Sequence, residues 1–345
     1  MEFSKYQGTG NDFVMVLDLD DERPLKPDEV AAVCDRRTGV GADGVIRVVR
    51  TDREGARFFM DYANADGSTA EMCGNGIRCV ARLVHERGLI DELEFDVLTR
   101  AGAKHLVLHE GAGGRVDRVT VGMGSPNFTK AAIPMRGPAW ETFLQQPFEV
   151  GPGLSVTASA VSMGNPHLVL FLDEDPDRFH VAHIGPALER HDLFPEHTNV
   201  EFARVGADEI KVRVWERGSG ETMACGSGAC AVAVAANEAG LVPERVTIGF
   251  PGGEVEVERR ADEVLLTGAA EHVFDGTIDL ERPTNVRGSS FGGSDWARRA
   301  TTADPRPGCS RRVTFTRPPS YRSSAWTRRP DRARWRGRSS ASTCP

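Results

Sequence analysis

No apolar run in the 345 residues approaches the roughly 18 to 20 that cross a bilayer. Met1-Glu2-Phe3-Ser4-Lys5-Tyr6 lacks the basic and then apolar stretch of a secretory signal. A cytoplasmic protein is the expectation. The seven cysteines are odd in number and scattered, at positions 34, 73, 79, 225, 230, 309 and 344, which excludes the disulfide framework of a small secreted domain and predicts reduced thiols. No Cys-x-x-Cys occurs, which argues against dithiol redox chemistry. No cluster with metal-ligand spacing occurs either. What the chain does have, 40% hydrophobic and 27% charged residues, suffices for two ordinary globular domains that need no covalent staples.

The charge is unevenly spread. Residues 283–345 hold 14 Arg and 3 Asp but neither Lys nor Glu, about +11, so residues 1–282 carry about −19 of the net −8. The tail has Trp296, Trp326 and Trp335 among Arg, Ser, Pro and Thr, without amphipathic periodicity, and is expected to be disordered. Arg and Trp would suit a nucleic-acid-binding arm. Arg with no Lys beside Ser, Pro and Trp instead favours out-of-frame sequence from GC-rich DNA, so no nucleic-acid partner is expected.

The first 282 residues alternate short β-rich runs with a few helical patterns. Strands are predicted at Asn11–Asp18, Val45–Arg50, Arg57–Tyr62, Glu94–Leu98, Val116–Met123, Leu168–Leu172, Glu209–Glu216 and Val264–Leu266. Helices are predicted at Pro27–Arg37, Gly76–Arg87 and Gly228–Ala239. Cys73-Gly74-Asn75-Gly76 and Cys225-Gly226-Ser227-Gly228, 152 residues apart, each follow a Gly/Ser/Glu-rich turn and open an Ala/Val-rich helical stretch, which suggests two related halves.

A thiol at a helix N-terminus meets backbone N–H groups and the positive end of the helix dipole, which are expected to lower its pKa from about 8.5 toward neutrality. The flanking glycines allow close approach of a ligand, and the N–H groups suit a carboxylate. Two such sites face to face suit stereoinversion: one thiolate removes an α-proton while the opposite thiol delivers one to the other face. Helix N-termini converging on the α-carboxylate would stabilise the developing carbanion without an electron-sink cofactor.

Other readings of the same residues are weaker. For zinc, Cys79 lies about 240° round a helix from Cys73 and Cys230 about 140° from Cys225, so neither pair shares a face. Cys34, Cys79 and Cys230 read better as small core residues. A cysteine hydrolase using His167 leaves the second cysteine motif without a role. Gly39-Val40-Gly41-Ala42-Asp43-Gly44 matches G-x-G-x-x-G, but it follows a helix and enters a strand, the reverse of a dinucleotide fingerprint. It reads as a glycine-rich turn near the site.

These motifs, with Gly8-Thr9-Gly10-Asn11-Asp12-Phe13, Asn64, Glu71-Met72-Cys73-Gly74-Asn75-Gly76-Ile77-Arg78, Met163-Gly164-Asn165-Pro166-His167, Thr198-Asn199-Val200-Glu201-Phe202 and Glu216-Arg217-Gly218 through Cys225-Gly226-Ser227-Gly228-Ala229, closely resemble the diaminopimelate epimerase family over residues 1 to about 282. The resemblance implies an α+β fold of two pseudosymmetric domains, each a curved mixed β-sheet around a central helix, with the substrate between them. It divides the chain into 1–118 plus 268–282, holding Cys73; 119–267, holding Cys225; and the tail 283–345. It implies interconversion of LL- and meso-diaminopimelate in lysine and peptidoglycan precursor synthesis, with no pyridoxal phosphate and no metal. The expected partner is the small-molecule substrate, with no membrane; a homodimer stays open.

Carried over by motif, Cys73 and Cys225 are the acid and base, exchanging roles with direction. Backbone N–H groups at Gly74, Asn75, Gly226 and Ser227 hold the reacting carboxylate. Asn64, Asn165, Asn199 and Arg217 read the distal amino-acid group, Glu216 meets a distal ammonium, and Asn11 borders the substrate. His167 and Glu216 help to set thiol protonation. Gly44 stands where many members carry a Gln side chain toward the substrate, so that contact is absent here or comes from elsewhere. A proline or hydroxyproline racemase-like enzyme shares the proton chemistry but has no distal amino acid for Asn64, Asn199, Glu216 and Arg217 to bind. A non-enzymatic binding protein on this scaffold has no use for both cysteines.

Overall fold

The computed structural model describes residues 1–111, 113–151 and 153–280, together with the backbone of 314–316. The expectations for the Arg-rich tail otherwise lie outside the described residues. The first half comprises β1 (Glu2–Gly8), β2 (Asn11–Leu17), α1 (Pro27–Cys34), β3 (Gly44–Arg50), β4 (Phe58–Asn64), α2 (Gly74–Glu86), β5 (Glu94–Thr99), β6 (Gly102–Glu110) and β7 (Val116–Gly122). The second comprises β8 (Gln146–Gly151), β9 (Leu154–Ser162), β10 (Pro166–Phe171), α3 (Val181–Glu189), β11 (Asn199–Val205), β12 (Glu209–Glu216), β13 (Gly220–Thr222), α4 (Gly226–Glu238), β14 (Arg245–Phe250), β15 (Gly253–Arg259) and β16 (Val264–Ala269). Then β17 (Glu271–Thr277) returns to pair antiparallel with β1, and β18 (Thr314–Thr316) pairs with β17.

The halves repeat one pattern. Along β1 to β7, successive strand pairs run antiparallel, parallel, antiparallel, parallel, antiparallel, antiparallel. The series β9, β10, β11, β12, β14, β15, β16 gives the same sequence of relationships. The repeats join where β7 pairs antiparallel with β16. In both, each parallel pair is bridged by a helix: α1 and α2 in the first, α3 and α4 in the second. This is the α+β, pseudosymmetric arrangement expected, with α2 and α4 as the central helices.

Composition explains their position. The α4 segment Gly-Ser-Gly-Ala-Cys-Ala-Val-Ala-Val-Ala-Ala is apolar on all sides, which suits a helix wrapped by sheet rather than lying on a surface. Gly228 through Ala236 are all buried. In α2, Gly74 through Ala81 are buried, including Arg78. One apolar core joins both helices through Ile77, Val80, Leu83, Val232 and Val234. Smaller cores lie under α3, around Leu170 and Phe202, and under α1, around Val14 and Val33. Cys79 and Cys230 are fully buried in the joint core, and Cys34 is buried under α1.

Three helix boundaries differ from expectation by two residues or more. Helix α1 ends at Cys34 rather than Arg37, because the Asp35 carboxylate accepts from the Arg37 and Thr38 N–H groups and turns the chain. Helices α2 and α4 begin two residues earlier than predicted, because the cysteines themselves occupy the N-cap.

Candidate active site

Cys73 and Cys225 are extended residues immediately preceding a helix, and each sulfur accepts from the N–H three residues on: Gly76 to Cys73 Sγ at 3.5 Å, Gly228 to Cys225 Sγ at 3.4 Å. A thiol here does the work of a Ser or Asp cap. The two helix N-termini abut. A Cβ built on Gly74 would lie 3.5 Å from the Gly226 Cα, and one built on Gly226 would lie 3.3 Å from the Gly74 Cα. A methyl group on Gly226 would press on the Gly74 backbone, whereas one on Gly74 would make ordinary contact.

Around this seam is a cavity of about 560 Å³, large enough for an amino acid, lined by both cysteines and by Asn11, Gly74, Asn75, Asn165, Glu216, Arg217, Gly226 and Ser227. Those ten predicted site residues are therefore brought together. Asn64, Asn199 and His167 are outside the cavity lining. Asn64 donates to Ser68 Oγ at 3.0 Å, within a turn. Asn199 is buried; its Nδ2 donates to the Pro166 carbonyl and its Oδ1 accepts from the Arg217 N–H at 2.8 Å, so it braces the backbone that carries Arg217. His167 is fully buried between Glu201 and Asn165.

The surroundings of the two thiols differ. Cys73 Sγ donates to Asn11 Oδ1 at 3.6 Å, while Asn11 Nδ2 is held by Asp43 Oδ2 at 2.6 Å. The Gly39–Gly44 turn thus orients a site residue through Asp43. Cys225 Sγ lies 3.5 Å from Ser227 Oγ, which accepts from Asn165 Nδ2 at 3.3 Å. Behind them His167 Nδ1 meets Glu201 Oε1 at 2.6 Å.

The expectation of near-neutral thiols is overturned. Burial pushes the Cys73 thiol up to about 11 despite the Gly76 N–H, with Glu216 adding to the rise. Burial raises Cys225 well above the ordinary thiol value, and the Glu216 and Glu201 carboxylates raise it further against Ser227 and Gly228. Desolvation outweighs the helix end at both thiols. Glu216 is itself raised by burial, opposed by hydrogen bonds from Thr222 and Cys225.

Sequence reasoning missed several wall and support residues. Lys104, Met123, Gly124 and Ser125 line the cavity from β6 and the end of β7. The positive φ of Gly124 marks a break there, but a polar strand end looks the same whether it faces solvent or a cleft. Arg78 appeared only as part of a motif. It is fully buried, and its guanidinium donates to the Gly74 carbonyl, Asn75 Oδ1, Thr9 Oγ1 and the Ala269 carbonyl, tying the start of α2 to the β1–β2 turn and to the last residue of β16. At Gly44 the expected missing contact has a steric basis, since a Cβ there would lie 2.5 Å from Tyr62 Cε2 and 2.6 Å from the Ala63 carbonyl oxygen.

Among the described residues no helix is long and apolar enough to cross a membrane. The model of the diaminopimelate epimerase family matches residues 3–129 and 159–273, which take in both cysteine motifs. A diaminopimelate epimerase from Moorella thermoacetica is 45% identical over 287 residues, covering 81% of this chain and all of that protein. One from Leptospira biflexa is 41% identical, covering 81% and 99% respectively. Among solved structures, a hydroxyproline epimerase from Agrobacterium vitis superposes with a TM-score of 0.59 at 15% identity over 80% of this chain and 91% of that one. A Bacillus anthracis phenazine biosynthesis protein of the PhzF family gives 0.57 at 15% identity, over 80% and 97%. These two likenesses extend the fold only. With the doubled topology, the paired cysteine caps and full-length relatives all in agreement, the chain belongs to the diaminopimelate epimerase family.

Proposed function

We propose that this family member interconverts LL- and meso-diaminopimelate, for lysine and peptidoglycan precursor synthesis, by passing the α-proton between Cys73 and Cys225. One thiolate takes the proton from one face of the α-carbon, and the opposing thiol supplies its own to the other. The sulfurs finish with exchanged protonation states, ready for the reverse direction. The observation that carries this reading is the abutment of two cysteine-capped helices at Gly74 and Gly226 beside a single cavity. In that arrangement the first-turn N–H groups at Gly74, Asn75, Gly226 and Ser227 converge on one α-carboxylate and stabilise charge arriving from the carbanion. A bound carboxylate also covers the cavity and draws on the same N–H groups, which changes the thiol balance from that of the free protein.

Arg217 serves the distal carboxylate, with Asn199 fixing its backbone, and Glu216 faces both thiols and the distal ammonium. Asn11 and Asn165 border the substrate on its two sides. The division into 1–118 plus 268–282 and 119–267 belongs to the same proposal; its limits fall on β7 and β16, the strands that join the repeats. The test is incubation of reduced protein with LL-diaminopimelate in D₂O without added cofactor, following α-deuterium and the meso isomer together. Both signals are expected, and both disappear in Cys73→Ala and Cys225→Ala. Normal turnover by either variant overturns the two-thiol reading.

A further inference from the structure

The repeat makes the two halves comparable residue by residue. Phe13 on β2 pairs with Gly44 on β3, as His167 on β10 pairs with Asn199 on β11. Two residues further along, Ile46 occupies the place of Glu201. The helices give the same equivalence independently: a Cβ on Gly76 would meet Ile46 Cδ1 at 2.6 Å, and one on Gly228 would meet Glu201 Oε1 at 2.8 Å. Beneath Cys73, then, the sheet offers an aromatic ring and an aliphatic chain. Beneath Cys225 it offers a fully buried imidazole and carboxylate. Glu201 Oε2 is buried without a hydrogen-bond partner, a costly arrangement that packing alone does not require when Phe13 and Ile46 fill the same places in the other half.

We propose that Glu201 is a positioning residue which, through His167, Asn165 and Ser227, fixes the direction of the hydrogen bond at Cys225 and so makes the two thiols inequivalent. The contacts run Glu201 Oε1 to His167 Nδ1 at 2.6 Å, His167 Nε2 to Asn165 Oδ1 at 2.9 Å, Asn165 Nδ2 to Ser227 Oγ at 3.3 Å, and Ser227 Oγ to Cys225 Sγ at 3.5 Å. With the carboxylate holding an imidazolium, Nε2–H donates to the Asn165 oxygen, the Asn165 amide donates to Ser227, and the Ser227 hydroxyl proton is left for the Cys225 sulfur. That arrangement favours thiolate. With Nε2 bare, the amide turns over, its oxygen takes the Ser227 proton, and Ser227 accepts from a Cys225 thiol. The chain at Cys73 is shorter, lacks an imidazole and has the opposite sense: Asp43 Oδ2 accepts from Asn11 Nδ2 at 2.6 Å, which turns Asn11 Oδ1 toward Cys73 Sγ at 3.6 Å as an acceptor and favours the thiol there. The ionisable groups facing Cys225 are Glu216, Glu201 and His167; Glu216 acts on both thiols through its charge and also accepts a hydrogen bond from Cys225, and it is left unchanged in the variants below.

This inference rests on both thiols exchanging protons, but its test does not need turnover. The free protein is alkylated with iodoacetamide across a pH series, and Cys73 and Cys225 are followed on separate peptides by mass spectrometry. Glu201→Gln keeps the volume but removes both the direct repulsion by which the carboxylate raises Cys225 and the orientation it gives the chain. The loss of orientation is expected to win, slowing Cys225 alkylation about ten-fold relative to Cys73 below the thiol midpoint, a shift of about one pH unit upward, and a faster Cys225 would overturn the proposal. Ser227→Ala cuts the chain at its half-buried end, where folding is not at stake, and is expected to do the same. A change shared equally by both cysteines, or none at Cys225 in the Ser227 variant, overturns the proposal. Inversion surviving in Cys225→Ala would remove the two-thiol reading instead, leaving the alkylation result to stand separately.

Discussion

Gly226 and Gly74 face each other across the seam, and a methyl group on Gly226 would sit 3.3 Å from the Gly74 Cα and 3.2 Å from Leu266 Cδ2. Backbone on one side and core on the other leave the α4 N-terminus only a few tenths of an ångström to yield. Gly226→Ala is expected to cost about 1 kcal/mol in stability, at the low end for overpacking. Because it separates the two N–H clusters, turnover should fall at least about ten-fold. Urea denaturation and the D₂O assay read the two effects, and unchanged turnover would show that the abutment is incidental.

Gly44→Gln, which adds the side chain that the family resemblance leads one to expect at this position, is expected to harm rather than help. Its Cβ meets the Tyr62 ring and the Ala63 carbonyl oxygen, and only the ring can move. The expected cost is about 1 to 3 kcal/mol in urea denaturation, with no fall in KM for diaminopimelate. A tighter KM at unchanged stability would contradict the packing argument.

The cysteines and their helices were legible because a doubled Cys-Gly-x-Gly before an Ala/Val run admits few structures; Asn11, Asn165, Glu216 and Arg217 on the cavity wall were reached only through the family resemblance. Other elements were hidden for local reasons. Helix α3 contains Gly185 and Pro186, both helix-breaking signals, yet Gly185 is required because a Cβ there would lie 2.5 Å from the Trp215 ring. Strand β15, Gly-Glu-Val-Glu-Val-Glu-Arg, alternates visibly and was within reach of a period-two reading. Strand β1, whose Lys5 is buried against Asp12 and the Gly41 carbonyl, was not, since a buried lysine reads as surface until its partners are known. The raised thiols were illegible for the same reason: desolvation depends on the whole enclosure, not on the motif.

Asp12 gives a pH prediction whose sign can be fixed. Burial pushes its carboxyl up, but Arg36 at 2.6 Å and Lys5 at 2.7 Å outweigh that and hold it down to about 2. A carboxyl depressed from about 3.9 in the unfolded chain stabilises the fold fully above that value and loses its contribution as pH falls toward 2. The amount is about 2 kcal/mol. Asp12→Asn should therefore differ from the parent by about that much near pH 6, and the gap should close by pH 2 in denaturation measurements. A gap independent of pH would mean that the asparagine loses packing rather than charge.

Arg217 tests recognition separately from chemistry. It is exposed at the cavity wall, its backbone N–H is fixed by Asn199 Oδ1 at 2.8 Å, and its Nη1 donates to the Glu196 carbonyl at 3.2 Å, leaving the rest of the guanidinium fork to meet a carboxylate. Arg217→Ala should raise KM for diaminopimelate by about 10- to 100-fold, the loss of a charge-assisted pair, with a smaller effect on kcat because the distal group does not react. Arg217→Lys should recover only part of the loss, since an ammonium cannot grip two oxygens in one plane. Asn199→Ala, which frees the backbone but keeps the guanidinium, should shift KM in the same direction by less. A kcat loss with unchanged KM in Arg217→Ala would move this residue from the distal carboxylate to the proton-transfer step and leave the substrate's far end to Lys104, the other basic side chain on the cavity wall.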